Sequence, residues 1–187
     1  METIKSLRGH LLIAVPSMYD EGFEHSVIYV CEHQVQGGVG LIINKPLVYP
    51  LGFMFDLLNI ESTYTEQKNR PLLYGGPLQP ERGFVIHRPC GHWNSSLLLE
   101  EDVTLTTSND IIHAFAKNQG PKDALVALGF VGWEHAKLEK EIMENRWLIC
   151  DYKPELLYEV PFEKRWEYAA SILGINLTQL IEGGGHA

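Results

Sequence analysis

The sequence is poor in cysteine, lacks a long apolar run and has no cluster of basic residues. Its 187 residues include three cysteines, at positions 31, 90 and 150, which are too few to indicate a disulfide framework in a chain of this length. No window approaches the ~18 consecutive apolar residues of a transmembrane helix, and residues 1–10 lack the apolar core of a secretion signal. We therefore expect a cytoplasmic protein with no membrane association.

Positive charge is also scarce. The chain has 15 Lys and Arg against 24 Asp and Glu, which gives a formal charge of −9 at pH 7. Because affinity for nucleic acid comes largely from clustered positive charge, this balance argues against direct nucleic-acid binding.

Several catalytic signatures are missing as well. The sequence has no Gly-x-Ser-x-Gly elbow and no His-Glu-x-x-His pair, so the standard serine-hydrolase and zinc-protease motifs are absent. The glycine-rich stretch 37–40 precedes a predicted strand and is not followed by Gly-Lys-Ser/Thr, which favours a tight strand connection over a phosphate loop. These absences leave open whether the protein is an enzyme.

The patterns that are present predict a single compact α+β domain. Apolar, β-rich segments at 10–15, 26–31 and 39–43 are separated by turn-forming residues, with no helix between them. Such strands pair antiparallel, because a parallel connection needs a crossover of a dozen or more residues. The N-terminal part is therefore predicted to be an antiparallel meander.

The rest of the chain predicts a mixed sheet and about four helices. The helices are expected at 51–60, 107–118, 134–145 and 161–174, where apolar residues follow helical spacing. Further strands are expected at 72–75, 83–87, 96–99, 103–106, 124–131 and 146–150, the last two within a βαβ unit. Residues 62–69 are expected to form an exposed loop, and the glycine-rich tail at 183–187 has too few side chains to order itself.

The first candidate for chemistry is a Cys31-Glu32-His33 triplet at the end of the second predicted strand. In a regular strand, residues two apart share a face about 6.5 Å apart, so His33 is positioned to act as a base for the Cys31 thiol. The alternative is that Cys31 is a buried core residue, as free cysteines commonly are.

The second candidate is a set of polar and glycine residues at predicted strand ends and turns, where a rigid scaffold can present them to one cleft. The set consists of Ser17, Asn44, Lys45, Gly75, Gly76, Arg82, Ser95 and Ser96. Lys and Arg supply positive charge, and Ser and Asn supply directed hydrogen bonds, so these residue types suit a small polar or anionic ligand. The alternative is ordinary surface polarity with structural turn glycines.

A metal site is considered and not predicted. His87, Cys90 and His92 are potential ligands for a soft divalent metal, but Pro89 and Gly91 favour a turn and no fourth ligand has a recognisable spacing. We therefore predict no metal and no cofactor.

Motifs spread along nearly the whole chain resemble those of the AlgH/YqgE family of bacterial proteins. The matching segments are LLIAVPSM at 11–18, SVIYVCEH at 26–33, VGLIINKP at 39–46, YGGP at 74–77, RGFVIH at 82–87, ALGFVGW at 127–133, LEKEI at 138–142 and NRWL at 145–148, together with Ser95-Ser96 and Arg165-Trp166. This resemblance implies a compact α+β fold in the bacterial cytosol and a regulatory role. It does not extend to Cys90 and His92.

The functional prediction is a regulatory protein that binds a small polar or anionic ligand, or a protein partner, in a groove formed by strand-end turns. The alternative is a cysteine-dependent enzyme or redox sensor that uses Cys31 with His33. A protein-interaction module, recognisable by an exposed apolar patch, is the third reading. The sequence indicates neither the oligomeric state nor the identity of a ligand or partner.

Overall fold

The computed structural model describes residues 5–18, 22–100, 102–177 and 179–180, and they form a nine-stranded sheet with helices on both faces. In chain order the strands are β1 (Leu11–Ala14), β2 (Val27–Gln34), β3 (Gly37–Ile42), β4 (Leu72–Tyr74), β5 (Leu78–Arg88), β6 (Ser96–Glu100), β7 (Val103–Thr106), β8 (Asp123–Glu134) and β9 (Trp147–Cys150). The helices are α1 (Leu51–Leu57), α2 (Thr65–Lys68), α3 (Asp110–Ala116), α4 (Lys137–Met143), α5 (Pro154–Tyr158) and α6 (Arg165–Ile172). The predicted tail at 183–187 lies outside the described residues.

The strands are arranged in the order β6-β7-β5-β8-β3-β2-β1-β9, and β4 pairs with β8 beside this path. All neighbours are antiparallel except the short β4 and β8 pair, which is parallel. The N-terminal meander predicted from the sequence is therefore confirmed as β1-β2-β3. The mixed character predicted for the sheet differs in detail, because it is limited to this one three-residue pair.

The predicted βαβ unit takes a different form. Helix α4 joins β8 to β9, and both strands run in the same direction, since four antiparallel steps separate them in the sheet. They are not neighbours, however, because β3, β2 and β1 lie between them. The crossover thus spans the N-terminal meander.

The sheet curls around an apolar core to which every strand contributes. This inner face contains, for example, Tyr29 and Leu41, and helices α5 and α6 cover it with Leu156, Leu157 and Trp166. On the outer face, α4 packs over the β1-β2-β3 side, and α1 and α3 pack over β4, β5 and β8. The β2 strand is apolar at consecutive positions because both of its faces are buried.

The described residues form six α-helices where the sequence predicts about four. The two additional ones, α2 and α5, are only four and five residues long, too short to show a helical period. Helix α2 lies within the segment 62–69 that was predicted to be an exposed loop, and it buries Gln67. That loop prediction is therefore wrong at its C-terminal half.

Helix α6 is fastened to the sheet by two buried residues at its start. The Arg165 guanidinium donates to the carbonyl oxygens of Val160 (2.9 Å), Leu157 (3.1 Å) and Ile43, and the Trp166 indole donates to the carbonyl of Ala14 (2.8 Å). Burial lowers the pKa of Arg165 to about 10, since no carboxylate among the described residues pairs with it.

Helix α4 is attached to the sheet through Glu141, which accepts two hydrogen bonds from it. The indole nitrogens of Trp133 and Trp147 both donate to Glu141 Oε2, at 3.0 and 2.9 Å. Both tryptophans are buried. Within the described ranges, no helix is long and apolar enough to cross a bilayer.

Candidate functional site

Cys31 is a core residue at a β-bulge. The pairing of β2 with β3 steps from Val30 opposite Gly40 to Glu32 opposite Val39, so Cys31 is the extra residue of β2. Its side chain packs with Tyr29 in the inner core and is 2% exposed. Burial raises the pKa of the Cys31 thiol to about 12, which opposes formation of the nucleophilic thiolate.

His33 lies on the opposite face of the sheet from Cys31. Because the bulge inserts one residue, the alternation of side chains reverses after it, and His33 points to the outer face beside Gly38 and Trp133. There, His33 Nδ1 accepts from the backbone N–H of Leu7 (3.0 Å) and Nε2 donates to Glu139 (3.0 Å). The expectation that the thiol and the imidazole share a face is therefore wrong.

The Lys45 carbonyl accepts from the N–H of Tyr74 (2.8 Å), next to Gly75, but the polar side-chain groups of Asn44 and Lys45 are used internally. The Asn44 amide accepts from the backbone N–H of Val27 (2.9 Å) and donates to the carbonyl of His25 (2.8 Å). Lys45 Nζ donates to the carbonyl of Gly22 (2.6 Å), and partial burial lowers its pKa. These contacts hold the loop before β2 in place.

Gly75 and Gly76 serve close packing against β8. A Cβ at Gly75 would lie 2.4 Å from the carbonyl oxygen of Gly129, and one at Gly76 would lie 2.2 Å from the carbonyl carbon of Phe130. The N–H of Gly75 donates to the carbonyl of Leu128 (2.8 Å), so it is not available to an anion. The structure thus favours the turn and packing interpretation of this glycine pair.

The remaining predicted binding residues lie in other places. Ser17 is exposed in the turn after β1, and the exposed Arg82 stacks over Phe84 and donates to Gln79. Arg82 and Cys31 both line a pocket of about 230 Å³, where Cys31 is at the buried end. Of the eight predicted residues, Arg82 alone lines this pocket.

Ser95 and Ser96 belong to hydroxyl networks at the end of β6. The Ser95 hydroxyl lies 3.0 Å from that of Thr107, and Ser96 donates to Thr106 (2.7 Å), which donates to Nε2 of the buried His87 (2.8 Å). His87 Nδ1 donates to the carbonyl of Pro89 (3.0 Å), and burial lowers the pKa of His87. His87 is thus held in its neutral form by neighbouring protein groups. No cluster of three or more His, Cys, Asp or Glu suited to a metal occurs among the described residues.

A further cavity is a groove that the sequence did not predict. It has a volume of about 1100 Å³ and lies between α1, the α1-α2 connection, α2 and the end of α3. We call it the helical groove. Its lining residues are Tyr49, Pro50, Gly52, Phe53, Phe55, Asp56, Ile60, Glu61, Ser62, Thr63, Tyr64, Lys68, Asn69, Ala116, Lys117 and Gln119.

Three contacts hold the walls of the helical groove together. Gly52 lets α1 and α2 approach closely, because a Cβ there would lie 3.0 Å from the carbonyl oxygen of Lys68. The Ser62 hydroxyl donates to the carbonyl of Ala116 (2.6 Å) at the end of α3. The Gln67 amide donates to the side-chain oxygen of Asn118 (2.9 Å). The short helix α2, missed by the sequence, is therefore the element that completes the groove.

The helical groove presents aromatic rings next to unpaired charges. Tyr49 and Phe53 stack with ring centroids 4.4 Å apart, and both are partly exposed, as is Tyr64. Lys68 and Lys117 form no ion pair with any described residue, and the same holds for Asp56 and Glu61. Such a lining can stack a flat ring and pair with charged or hydrogen-bonding groups attached to it.

Comparison with known proteins places this fold among related bacterial proteins. Residues 11–178 match the family model described as AlgH-like. The chain is 58% identical to a UPF0301 protein of Legionella pneumophila over the full length of both, and 43% identical to a UPF0301 protein of Saccharophagus degradans over 97% of this chain and 89% of that protein.

Solved structures agree with these matches. The solution structure of the AlgH protein from Pseudomonas aeruginosa matches with a TM-score of 0.80 at 37% identity, covering 100% of this chain and 99% of that one. A crystal structure of a protein from Corynebacterium diphtheriae, 18% identical, shares the fold with a TM-score of 0.72 over 96% of this chain and 94% of its own.

Proposed function

This chain belongs to the AlgH-like family, and from that premise we propose that it is a regulatory protein that binds a small anionic ligand with an aromatic ring in the helical groove. The observation that carries the proposal is a groove of about 1100 Å³ with stacked aromatic side chains beside two lysines that pair with no described carboxylate. This volume lies slightly above the ~300–1,000 Å³ typical of ligand sites. The three cysteines are all free thiols, which fits a role in the bacterial cytosol.

The charges along the groove suggest which ligand groups it accepts. Lys68 and Lys117 supply two cations for a phosphate or carboxylate, and an ammonium binds such groups as a point charge. Asp56 and Glu61 accept hydrogen bonds from hydroxyl or amino groups. A nucleoside phosphate has this combination of a flat base, hydroxyl groups and an anionic end, so nucleotides are the first class to test.

Thermal unfolding with a panel of nucleoside mono- and diphosphates tests the proposal. At a ligand concentration of about 100 Kd, binding stabilises the folded state by about 2.7 kcal/mol, which raises Tm by about 5–10 °C for a domain of this size. Lys68→Gln with Lys117→Gln removes both cations while retaining most of each side chain, and we expect it to abolish the shift.

Lys137→Gln with Lys164→Gln is the matched control, since it removes two lysine charges outside the groove. Its Tm shift should equal that of the unaltered protein. If no member of the panel raises Tm at millimolar concentration, or if the double variant retains the shift, the helical groove is not the ligand site.

A further inference from the structure

Helix α1 is apolar on its outward face as well as on its inward face. Leu51, Met54 and Phe55 are buried against the sheet, as expected of a packed helix. Phe53 and Leu57 are nevertheless 41% and 64% exposed, four residues apart on the opposite side. Apolar side chains exposed together on one helix face are suited to a contact with another molecule.

A cleft lies beside this outward face, separate from the bulk of the helical groove. It has a volume of about 370 Å³, and we call it the α1 cleft. One wall is formed by Phe53, Leu57 and Leu58 of α1 and its C-terminal end, and the other by Pro80 and Glu81. Met54 and Leu128 complete the lining, which is mostly apolar, and the stacked Tyr49 and Phe53 rings border both cavities.

An irregularity in β5 builds the second wall. The pairing of β5 with β8 jumps from Leu78 opposite Phe130 to Gly83 opposite Leu128, so the residues between Leu78 and Gly83 are not paired with β8. This segment contains Pro80, which has no backbone N–H to pair. The cleft therefore results from two elements distant in sequence, α1 and the unpaired segment of β5.

The charge of the α1 cleft is negative. Glu81 is the single charged residue that lines it, and it forms no ion pair with any residue in the described part of the chain. A carboxylate at the rim of an apolar cleft favours an occupant with an apolar side chain next to a cation.

A second copy of the chain fits this requirement poorly. A twofold contact would place the same surface of both copies together, so each cleft would meet leucine and phenylalanine side chains and another Glu81. The residues that line the cleft include no cation. A different molecule is therefore the better complement.

We propose that the α1 cleft docks a short segment of a partner protein in which a large apolar side chain lies beside a lysine or arginine. The apolar anchor fills the space between Leu57, Leu58 and Leu128, and the cation pairs with Glu81. This interaction surface is additional to the ligand groove and does not depend on it.

Selection from a phage-displayed library of random dodecapeptides tests the docking site. The immobilised full chain is the target, and the Leu57→Lys variant is the counter-selection target, since Leu57 is exposed enough for the substitution to leave the fold intact. We expect enriched peptides to share a large apolar residue with Lys or Arg within three positions of it.

Fluorescence anisotropy of one enriched peptide, made synthetically, then measures each contribution. Leu57→Lys should weaken binding more than tenfold, because it removes apolar contact and adds a like charge. Glu81→Gln should weaken it about fivefold at low salt, with a smaller effect at high salt. Met143→Lys is the matched control, since Met143 is 71% exposed on α4, and its affinity should be unchanged.

Three results would overturn the proposal. They are a failure to enrich any sequence over the Leu57→Lys counter-selection, enrichment of acidic sequences, and equal affinity of the Leu57→Lys variant for the selected peptide. Light scattering adds a separate check. If the unaltered chain dimerises at micromolar concentration and the Leu57→Lys variant does not, a second copy occupies the cleft and the assignment to a partner segment is wrong.

Discussion

Iodoacetamide should alkylate Cys90 in the folded protein at pH 8 and leave Cys31 almost unmodified. Cys90 is exposed, whereas Cys31 is 2% exposed at a bulge of β2 and packs in the inner core. Alkylation requires the thiolate, and burial raises the pKa of Cys31 to about 12. This prediction decides whether the cysteine-dependent enzyme or redox sensor remains a candidate function.

The size of the effect follows from the pKa. An ordinary thiol has a pKa of 9.0, so that of Cys31 lies about three pH units higher, and each unit lowers the thiolate fraction tenfold. At pH 8 the thiolate fraction of Cys31 should therefore be about 1,000-fold below that of the same thiol in the unfolded chain. Steric protection by the core slows the reaction further.

Mass spectrometry of peptides sampled over time gives the rate at each cysteine separately. Cys90 serves as the positive control within the folded protein, and the same chain in guanidinium supplies the unfolded rate for Cys31. A folded-state rate for Cys31 within tenfold of its unfolded rate would refute the reasoning. In that event the sulfur would be accessible, and Cys31 would return as a candidate nucleophile.

Three further predictions concern stability. Arg165→Met should lower the free energy of unfolding by about 3–5 kcal/mol in urea titrations, because three carbonyl oxygens lose a charged donor. Arg165→Lys should retain only part of that stability. Glu141→Ala should lower the free energy of unfolding by about 2–4 kcal/mol, because two indole donors lose their acceptor. The control, Glu163→Ala at an exposed position, should change it by less than about 0.5 kcal/mol. Equal losses for these two glutamates would contradict that assignment. The pKa of Cys31 is higher in the folded protein than in the unfolded chain. The contribution of this difference to the stability of the folded protein is therefore complete below pH 9 and is lost as pH rises towards 12. Relative to Cys31→Ala, the unaltered protein should lose about 1.0 kcal/mol between pH 9 and 10, and parallel pH profiles would contradict this.

Cys31 and His33 show which features a local sequence pattern predicts and which it does not. The residues around Cys31 correctly predict a strand, and the apolar alternation correctly places Cys31 in the core as the alternative reading. The position of His33 depends on the bulge, which is a property of how β2 pairs with β3. Reading two-residue periodicity through a bulge assigns the following side chain to the wrong face.

The polar strand ends illustrate a second limit. Asn44 and Lys45 follow strand β3, and their side-chain hydrogen bonds join them to the protein itself. Residue type alone does not distinguish a side chain that binds a ligand from one that holds a loop.

The helical groove was missed because its walls come from two distant stretches, 49–69 and 116–119. The sequence did contain one indication of this surface. The four-residue spacing of Tyr49, Phe53 and Leu57 places apolar residues on a second face of α1. That spacing indicates an apolar surface. It does not indicate which elements surround it.

The amino-acid sequence by itself determined the class of this protein: its α+β content, the N-terminal meander and the family. These depend on apolar alternation, helical spacing and motif identity, which act over a few neighbouring residues. The tertiary structure alone decided which face His33 occupies, which polar groups are already paired, and where the helical groove and the α1 cleft form. Those features depend on contacts between residues far apart in the chain, and strand register, a bulge or a four-residue helix is enough to change them.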